Sequence, residues 1–393
     1  MKRILFMHQA STIGGGSYCL LNIVMNIDYT LFEPVVALKS DGPLADELRK
    51  LNVQVVFFPQ MAPIPYNRSL WSFSSLMAYH KAGQSANALK ALLTANKIDI
   101  IYLNNMMLCR YLKPAKEAGV KTVIHVREHW PLNEHTKQLE WARHFVYEYA
   151  DKMIAINQYS ASIFPMKEST IVYDWIDMDS RYENRPLSEI FGEDMTDKKV
   201  YLYTGGVQRI KGATEVLSTF VHHVKNKNAR LLVIGINPSL SGAGAKEKLK
   251  KILSRIGIKS YFYQVAELIQ SDTRIKCIPP TYMLAHIMQQ CYCNLSYFTI
   301  PHANLAMAEC EIMGTPSIAA ENDEAIEYSL NGKMSILYKP NSKKAFVNAI
   351  KMFDVHYRDI QDELLAHSDV IKSRFDKQLN IIKLNCEIKS LLC

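Results

Sequence analysis

Two carboxylates interrupt an apolar stretch in "PHANLAMAECEIMGTPSIAA", residues 301–320. Glu309 and Glu311 sit among Ala, Leu, Met and Ile, just ahead of Gly314, Thr315 and Pro316. An unpaired carboxylate is costly inside a core, so such a residue must reach something polar. A helix starting near Asn304 puts Glu309 in its second turn. Leu305, Ala308 and Ile312 then form the packed face, and Glu311 points to solvent. At the mouth of a crevice, Glu309 is placed to accept hydrogen bonds from two vicinal hydroxyls, as on a ribose or a sugar.

Cations that would complement it lie upstream in "YLYTGGVQRIKGATEVL". A strand, the turn Gly205–Gly206, then Arg209 and Lys211 ahead of a helix suit phosphates. Arg offers a bidentate fork and Lys a point charge, although solvated basic loop residues would look similar. Near the N-terminus, "QASTIGGGSYC" sets Gly14, Gly15 and Gly16 directly before a helix, where bare backbone and the helix N-terminus favour an anion. A flexible turn would carry the same residues. The loop is not a P-loop, because no Gly-Lys-Ser/Thr follows, and its spacing misses G-x-G-x-x-G. "VIHVREHWPL" gathers His125, Arg127, Glu128 and His129 at a strand end, where an acceptor group or a general base would act. A polar strand terminus explains them equally. Zinc binding by His125 and His129 would need a helix, and the β-branched run before them argues for a strand.

These residues need a scaffold that delivers them to strand ends. Short runs such as "RILFM", "PVVAL", "VQVVFF", "IDIIYL", "KTVIHV", "KMIAI" and "TIVY" alternate with segments of helical period. After a polar break at 177–198 the alternation resumes with "KVYLYT", "ARLLVIG", "IKCI", "CNLSYF", "SIAA" and "MSILY". Such alternation implies parallel sheets covered on both faces. With 393 residues, two domains are expected: 1–180, a linker at 181–198, 199–368, and an amphipathic helix over 369–393 that packs back on the first. The 48% hydrophobic content rules out wholesale disorder. A net charge of +8 suits an anionic substrate or an anionic membrane, with Lys246, Lys248, Lys250 and Lys251 on a basic helix, or simply solubility. No basic block with interleaved aromatics points to nucleic acid. Eight cysteines without a C-x-x-C pair, and no signal-peptide core, fit reduced thiols in a cytoplasmic protein. Asp177 and Asp179 in "DMD" sit in the crossover, away from both strand-end crevices, and suggest no metal site.

At this point the chain resembles the retaining nucleotide-sugar glycosyltransferases of family 4. "AECEIMGTPSIAAEN" is similar to their E-A-M-A-x-G-x-P-V-I-A block, and "YTGGVQRIKG" to their G-R-x-x-x-x-K-G block. "IPPTYMLAHIMQQCYCNLSYF", "NGKMSILYKPNSKKAFVNAI" and "TIVYDWID" fit further segments. The resemblance implies an α/β GT-B fold: two Rossmann-like doubly wound domains facing a central cleft. It implies sugar transfer from a nucleotide-sugar donor to a glycan or lipid-linked acceptor, without a cofactor or metal. Glu309 corresponds to the second glutamate of the E-x7-E motif, which holds the ribose, and Lys211 to the lysine on the diphosphate. Gly14–Gly16 correspond to the loop over the phosphates, and amides around His302, Ala303, Asn304 and Leu305 to the β-phosphate contact. Catalytic roles are expected for Lys211, Arg209, Glu309, His125 and Glu128. Two positions depart from the pattern: Pro301 replaces the first glutamate, and Gly206 stands where the arginine belongs, with Arg209 nearby. Those departures keep a second reading open, a catalytically impaired binding or partner subunit. A nucleotide-sugar epimerase lacks support in the donor-domain motifs.

Overall fold

The computed structural model describes residues 1–65, 68–236 and 261–392. It divides into two compact units, Met1–Trp175 with Phe375–Cys393, and Ile176–Arg374. The first holds β1 (Lys2–His8), β2 (Phe32–Leu38), β3 (Gln54–Phe57), β4 (Ile100–Leu103), β5 (Lys121–Val126), β6 (Lys152–Ala155) and β7 (Ser169–Ile171). Their order is β3-β2-β1-β4-β5-β6-β7, with every pairing parallel. The apolar run of β1 explains why both faces are covered. Leu5 and Met7 point into one buried cluster, Ile4 and Phe6 into another, as a period of two requires.

The second unit repeats the plan with β8 (Lys199–Tyr203), β9 (Ala229–Ile234), β10 (Ile275–Ile278), β11 (Cys293–Ser296), β12 (Ser317–Ala320) and β13 (Ile336–Tyr338). The parallel order is β10-β9-β8-β11-β12-β13. Tyr201 and Tyr203 pack on one face, Val200 and Leu202 on the other. Two doubly wound parallel sheets were expected from the alternating pattern, and this is the GT-B pair of domains. The strand order reverses direction between β1 and β4, and again between β8 and β11. In open α/β sheets, ligand crevices form at such switch points, beyond the carboxyl ends of the strands.

Several boundaries move. The stretch 181–198, expected as a linker, belongs to the second unit. Leu187 and Phe191 sit one turn apart on the short helix Leu187–Phe191 and bury beside Val200 and Leu202. Gly192, at φ +71°, closes that helix in the left-handed conformation that glycine tolerates. The return to the first unit begins at Phe375 rather than at 369, because helix Lys343–Arg374 runs unbroken with Phe346, Phe353 and Ile360 in the second core. Helix Lys377–Lys389 then sends Leu384 and Ile388 into the first core. Its Asn380 Oδ1 accepts from the Tyr173 amide at 2.9 Å, and Asn385 Oδ1 from the Asp28 amide at 3.0 Å. The basic helix with Lys246, Lys248, Lys250 and Lys251 lies outside the described residues. Helices Phe73–Gln84 and Ala86–Ala95 were not expected. Among the described residues, no helix is long and apolar enough to cross a membrane.

Candidate functional site

At the switch point of the first sheet, β1 ends in His8 and the glycine loop follows. Gly14 is the N-cap of helix Gly15–Asn26, so the helix starts where the glycines predicted it. A Cβ added at Gly14 or Gly15 would meet nothing within 4 Å. The protein itself therefore does not demand glycine there. Behind the loop, polar side chains close on one another. Ser17 Oγ donates to the Thr12 carbonyl at 2.8 Å, so it must accept from His8 Nε2 at 3.1 Å. His8 Nδ1 then accepts from Asn104 Nδ2 at 3.2 Å, and Asn104 Oδ1 accepts from Arg127 Nε at 3.1 Å. Burial, and next the Arg127 charge, push the His8 pKa down to about 4. A neutral ring is what this one-way chain of donors requires.

The β5 terminus brings His125, Arg127 and Glu128 into the same network. Arg127 pairs with Asp174 and also donates to His125 Nδ1 at 3.2 Å, while Tyr102 Oη donates to that nitrogen at 2.6 Å. A guanidinium can only donate, so Nδ1 is the acceptor and Nε2 carries the hydrogen. Burial, then Arg127, hold the His125 pKa well below its ordinary value. Its lone pair is engaged, so the expected general-base role for His125 is corrected to anchoring Tyr102 and Arg127. Glu128 Oε2 accepts from the amides of Met106 at 3.0 Å and Arg127 at 3.1 Å. Burial lifts its pKa to about 7 against those amides, within the range useful for proton exchange. The His129 ring stacks on Tyr159 with centroids 4.0 Å apart.

In the second sheet, β8 runs into Gly205 and Gly206, and here the glycines are required. A Cβ on Gly205 would lie 2.1 Å from Tyr203 Oη, and Gly206 has φ +56° beside the Gly235 carbonyl. The single turn Arg209–Lys211 follows, then Gly212 at φ +68° caps helix Ala213–His223. This turn is held from both sides. Tyr203 Oη donates to the Lys211 carbonyl at 3.2 Å, and the Thr299 amide donates to the Ile210 carbonyl at 2.9 Å. Lys211 is partly buried, and its ammonium has neither hydrogen bond nor ion pair among the described residues. Burial lowers its pKa, opposed by Glu309. Arg209 is exposed, with its guanidinium 5.1 Å from the centre of the Tyr261 ring.

Helix Leu305–Ile312 begins as expected after Asn304, whose Oδ1 accepts from the Met307 amide at 3.3 Å while its Nδ2 donates to Ser296 Oγ at 2.8 Å. The His302 carbonyl accepts from Asn322 Nδ2 at 3.3 Å, and Ala303 is half-buried between them. Glu309 is buried, but it does not wait for a ligand: Arg181 forms an ion pair with it inside the second unit. The premise that hydroxyls of a bound molecule must complete this acid is therefore corrected. Burial raises the Glu309 pKa, and Arg181, then Lys211, pull it back. Glu311 was expected in solvent and is instead fully buried. Its Oε1 accepts from Ser335 Oγ at 2.7 Å, its Oε2 has no partner among the described residues, and burial pushes its pKa to about 8. Met307, Ala308, Glu309, Cys310 and Glu311 are all buried, so this stretch is enclosed on every side, with Leu305 and Ile312 only half-buried.

Sequence reasoning missed Arg181, Asn104, His8, Ser17 and Asp174. Arg181 sat in a polar stretch taken for a linker. The pair Asn104–Asn105, directly after an apolar strand, was a usable signal of strand-end polarity. Asp177 Oδ1 accepts from the Ser180 amide at 3.2 Å, which gives that acid a place in a turn. Among the described residues no cluster of His, Cys, Asp or Glu is arranged to hold a metal.

No family model matches the chain, and no curated protein matches it. Solved structures do. HepE from Anabaena, in complex with UDP and glucose, is 18% identical with a TM-score of 0.71 over 100% of this chain and 99% of its own. A glycosyltransferase from Rickettsia africae is 14% identical, TM-score 0.68, covering 98% and 97%. Sucrose-phosphate synthase from Thermosynechococcus elongatus is 12% identical, TM-score 0.68, covering 100% and 99%. At these identities the likeness establishes the two-unit fold.

Proposed function

We propose that the protein is a retaining, metal-independent glycosyltransferase. It moves a sugar from a nucleotide-sugar donor to a glycan or lipid-linked saccharide, in the building of a surface polysaccharide or lipopolysaccharide. One observation carries the reading. At the switch point of the second sheet, a clamped turn presents the Lys211 ammonium with no hydrogen bond or ion pair among the described residues, and the nearby anion that acts on it, Glu309, is itself paired with Arg181. A partly buried cation with that geometry suits a diphosphate. HepE has been seen in complex with UDP and with UDP-glucose, which supports a uridine or similar nucleotide here.

The reaction follows from charge. As the bond from sugar to diphosphate breaks, negative charge grows on the leaving oxygen. Lys211, the exposed Arg209, and amides of the Leu305–Ile312 N-terminus, whose dipole adds positive potential, would stabilise it; these groups supply the positive charge a metal would otherwise bring. The departing phosphate takes the acceptor's proton on the face from which it leaves, so configuration is retained without a carboxylate nucleophile. Glu309, steadied by Arg181, keeps lone pairs for ribose hydroxyls. Gly14–Gly16 offer unobstructed backbone to the donor, and Glu128 is the acid/base candidate of the first unit. Contact with an anionic membrane belongs to the same reading, since lipid-linked acceptors reside there.

A second reading is favoured by Pro301 and by the Arg181–Glu309 pair: a nucleotide-sugar-binding subunit without turnover. Titration of UDP and GDP separates both from a protein that binds neither. Lys211→Met is expected to weaken UDP binding by about 1.5–3 kcal/mol, the range of a charged hydrogen bond, without lowering the melting temperature. Unchanged affinity would remove Lys211 from the site. Release of UDP or GDP from their sugars in the presence of saccharide acceptors distinguishes enzyme from binding subunit.

A further inference from the structure

Helix Phe73–Gln84 of the first unit carries its apolar side chains on the outside. Ser72 caps it, accepting from the Ser75 amide at 3.2 Å. The inward face is small or polar: Ser75 Oγ donates to Gln138 Oε1 at 3.2 Å, Ala82 is buried, and Tyr79 packs on the Trp141 ring with centroids 4.1 Å apart. The outward face is the reverse. Trp71 is 69% exposed, Phe73 79%, Leu76 45% and Met77 37%. Positions 73, 76, 77, 80 and 81 share one helical face, so the exposed His80 and Lys81 continue the same stripe, and exposed Arg68 lies before it. Neither Arg68 nor Lys81 forms an ion pair among the described residues. From Leu48 to Ile98 the sequence contains no Asp or Glu, whereas Arg49, Lys50, Arg68, Lys81, Lys90 and Lys97 fall within it.

Exposed aromatic and aliphatic side chains in one stripe, flanked by unpaired cations and free of acids, form the pattern of an element that lies in a membrane interface. A second copy is disfavoured by charge. A two-fold contact sets each patch against itself, which would place Arg68 and Lys81 against their own counterparts with no acid in the span to separate them. We propose that Trp71, Phe73, Leu76 and Met77, with Arg68 and Lys81, dock the protein on an anionic lipid surface. The inference deepens the reading of a lipid-linked acceptor and rests on it only for the acceptor's place. It fails separately, because none of these residues belongs to the nucleotide site, so UDP binding is the independent readout.

The test uses the full chain and vesicles of phosphatidylcholine with roughly one third phosphatidylglycerol. Co-sedimentation is expected with these vesicles and not with phosphatidylcholine alone, and it should weaken as salt rises. Trp130 and Trp175 are buried and Trp141 is partly so, which leaves Trp71 as the exposed indole. Binding should therefore shift tryptophan emission to the blue. Trp71→Phe is expected to abolish the shift while sedimentation persists. The double change Phe73→Ser with Leu76→Ser should reduce sedimentation about tenfold, and Arg68→Glu with Lys81→Glu similarly, both with unchanged UDP affinity as the check on folding. Failure to sediment with anionic vesicles would overturn the proposal, as would equal sedimentation of the variants. Concentration-dependent dimerisation that the serine variant abolishes, without vesicle binding, would assign the face to a second copy instead.

Discussion

At the end of β1, Gly14 and Gly15 border open space while His8, Ser17, Asn104 and Arg127 behind them satisfy one another. At the end of β8 the relation is inverted. Gly205, Gly206 and Gly212 are walled in by Tyr203, the Gly235 carbonyl and Tyr297, yet the Lys211 ammonium forms no hydrogen bond or ion pair among the described residues. One strand end keeps room and closes its charges; the other fills its room and leaves a charge open. A glycine is thus informative in different ways: enforced by packing at Gly212, and unforced at Gly15, where its bareness is available to something outside the protein. On the proposed reading, this difference gives phosphate attraction to the second unit and unobstructed backbone approach to the first.

The largest effect should come from breaking the buried Arg181–Glu309 pair of the second region. Arg181→Ala leaves the Glu309 carboxylate buried beside Lys211 alone. Removing one partner of a buried pair costs about 3–5 kcal/mol, which chemical denaturation would register as a lower midpoint. Arg181→Met with Glu309→Gln should recover most of that loss, because no charge is then stranded. If Arg181→Ala instead leaves stability unchanged, the pair does not hold Glu309, and the acid returns to the role of a group completed by ligand.

How much of this was legible beforehand depends on the kind of signal. Strands such as Lys121–Val126 and Ser317–Ala320 were readable because parallel strands buried on both faces are continuous apolar runs. The start of helix Leu305–Ile312 was readable because Asn304 is a capping residue in a favourable place. Glu311 was misjudged because its two neighbours in sequence are apolar in either orientation, and nothing local announces Ser335, which lies 24 positions away. Arg181 was invisible for the same reason. Its partner is 128 positions distant, and a polar composition around 177–198 says nothing about which of its charges turns inward. Helix Phe73–Gln84 escaped notice because its apolar stripe faces outward, so the usual inference from amphipathicity fails.

Acid and base limbs sharpen the comparison next, since the two regions bury groups of opposite kind. His8 has its pKa depressed from 6.5 to about 4 by burial and Arg127. The unfolded chain binds the extra proton, so this stability is complete above 6.5 and is lost as pH falls toward 4. Glu311 has its pKa raised from 4.5 to about 8, chiefly by burial. Here the folded state binds the extra proton, so stability is complete below 4.5 and is lost as pH rises through 8. His8→Gln is therefore expected to flatten the acid limb of a stability–pH profile, and Glu311→Gln the alkaline limb, with Glu311→Gln more stable than the parent at pH 8. A change in the same limb for both variants would show that one region controls both.

The smallest effect is the most discriminating for the first region. Gly15 opens helix Gly15–Asn26, and a Cβ there meets nothing within 4 Å. Gly15→Ala should therefore raise stability by about 0.4–1 kcal/mol through the lower entropy of the unfolded chain. The matched change Gly212→Ala should do the opposite, since Gly212 has φ +68° and its Cβ would lie 2.3 Å from the Tyr297 carbonyl. Stability alone then separates enforced from unforced glycine. Adding UDP titrations separates unforced from used. Should Gly15→Ala gain stability and lose UDP affinity, the methyl collides with ligand and the open loop is part of the donor site. Should it gain stability and bind UDP as before, the room at β1 serves no nucleotide, and nucleotide binding rests on the Lys211 turn by itself.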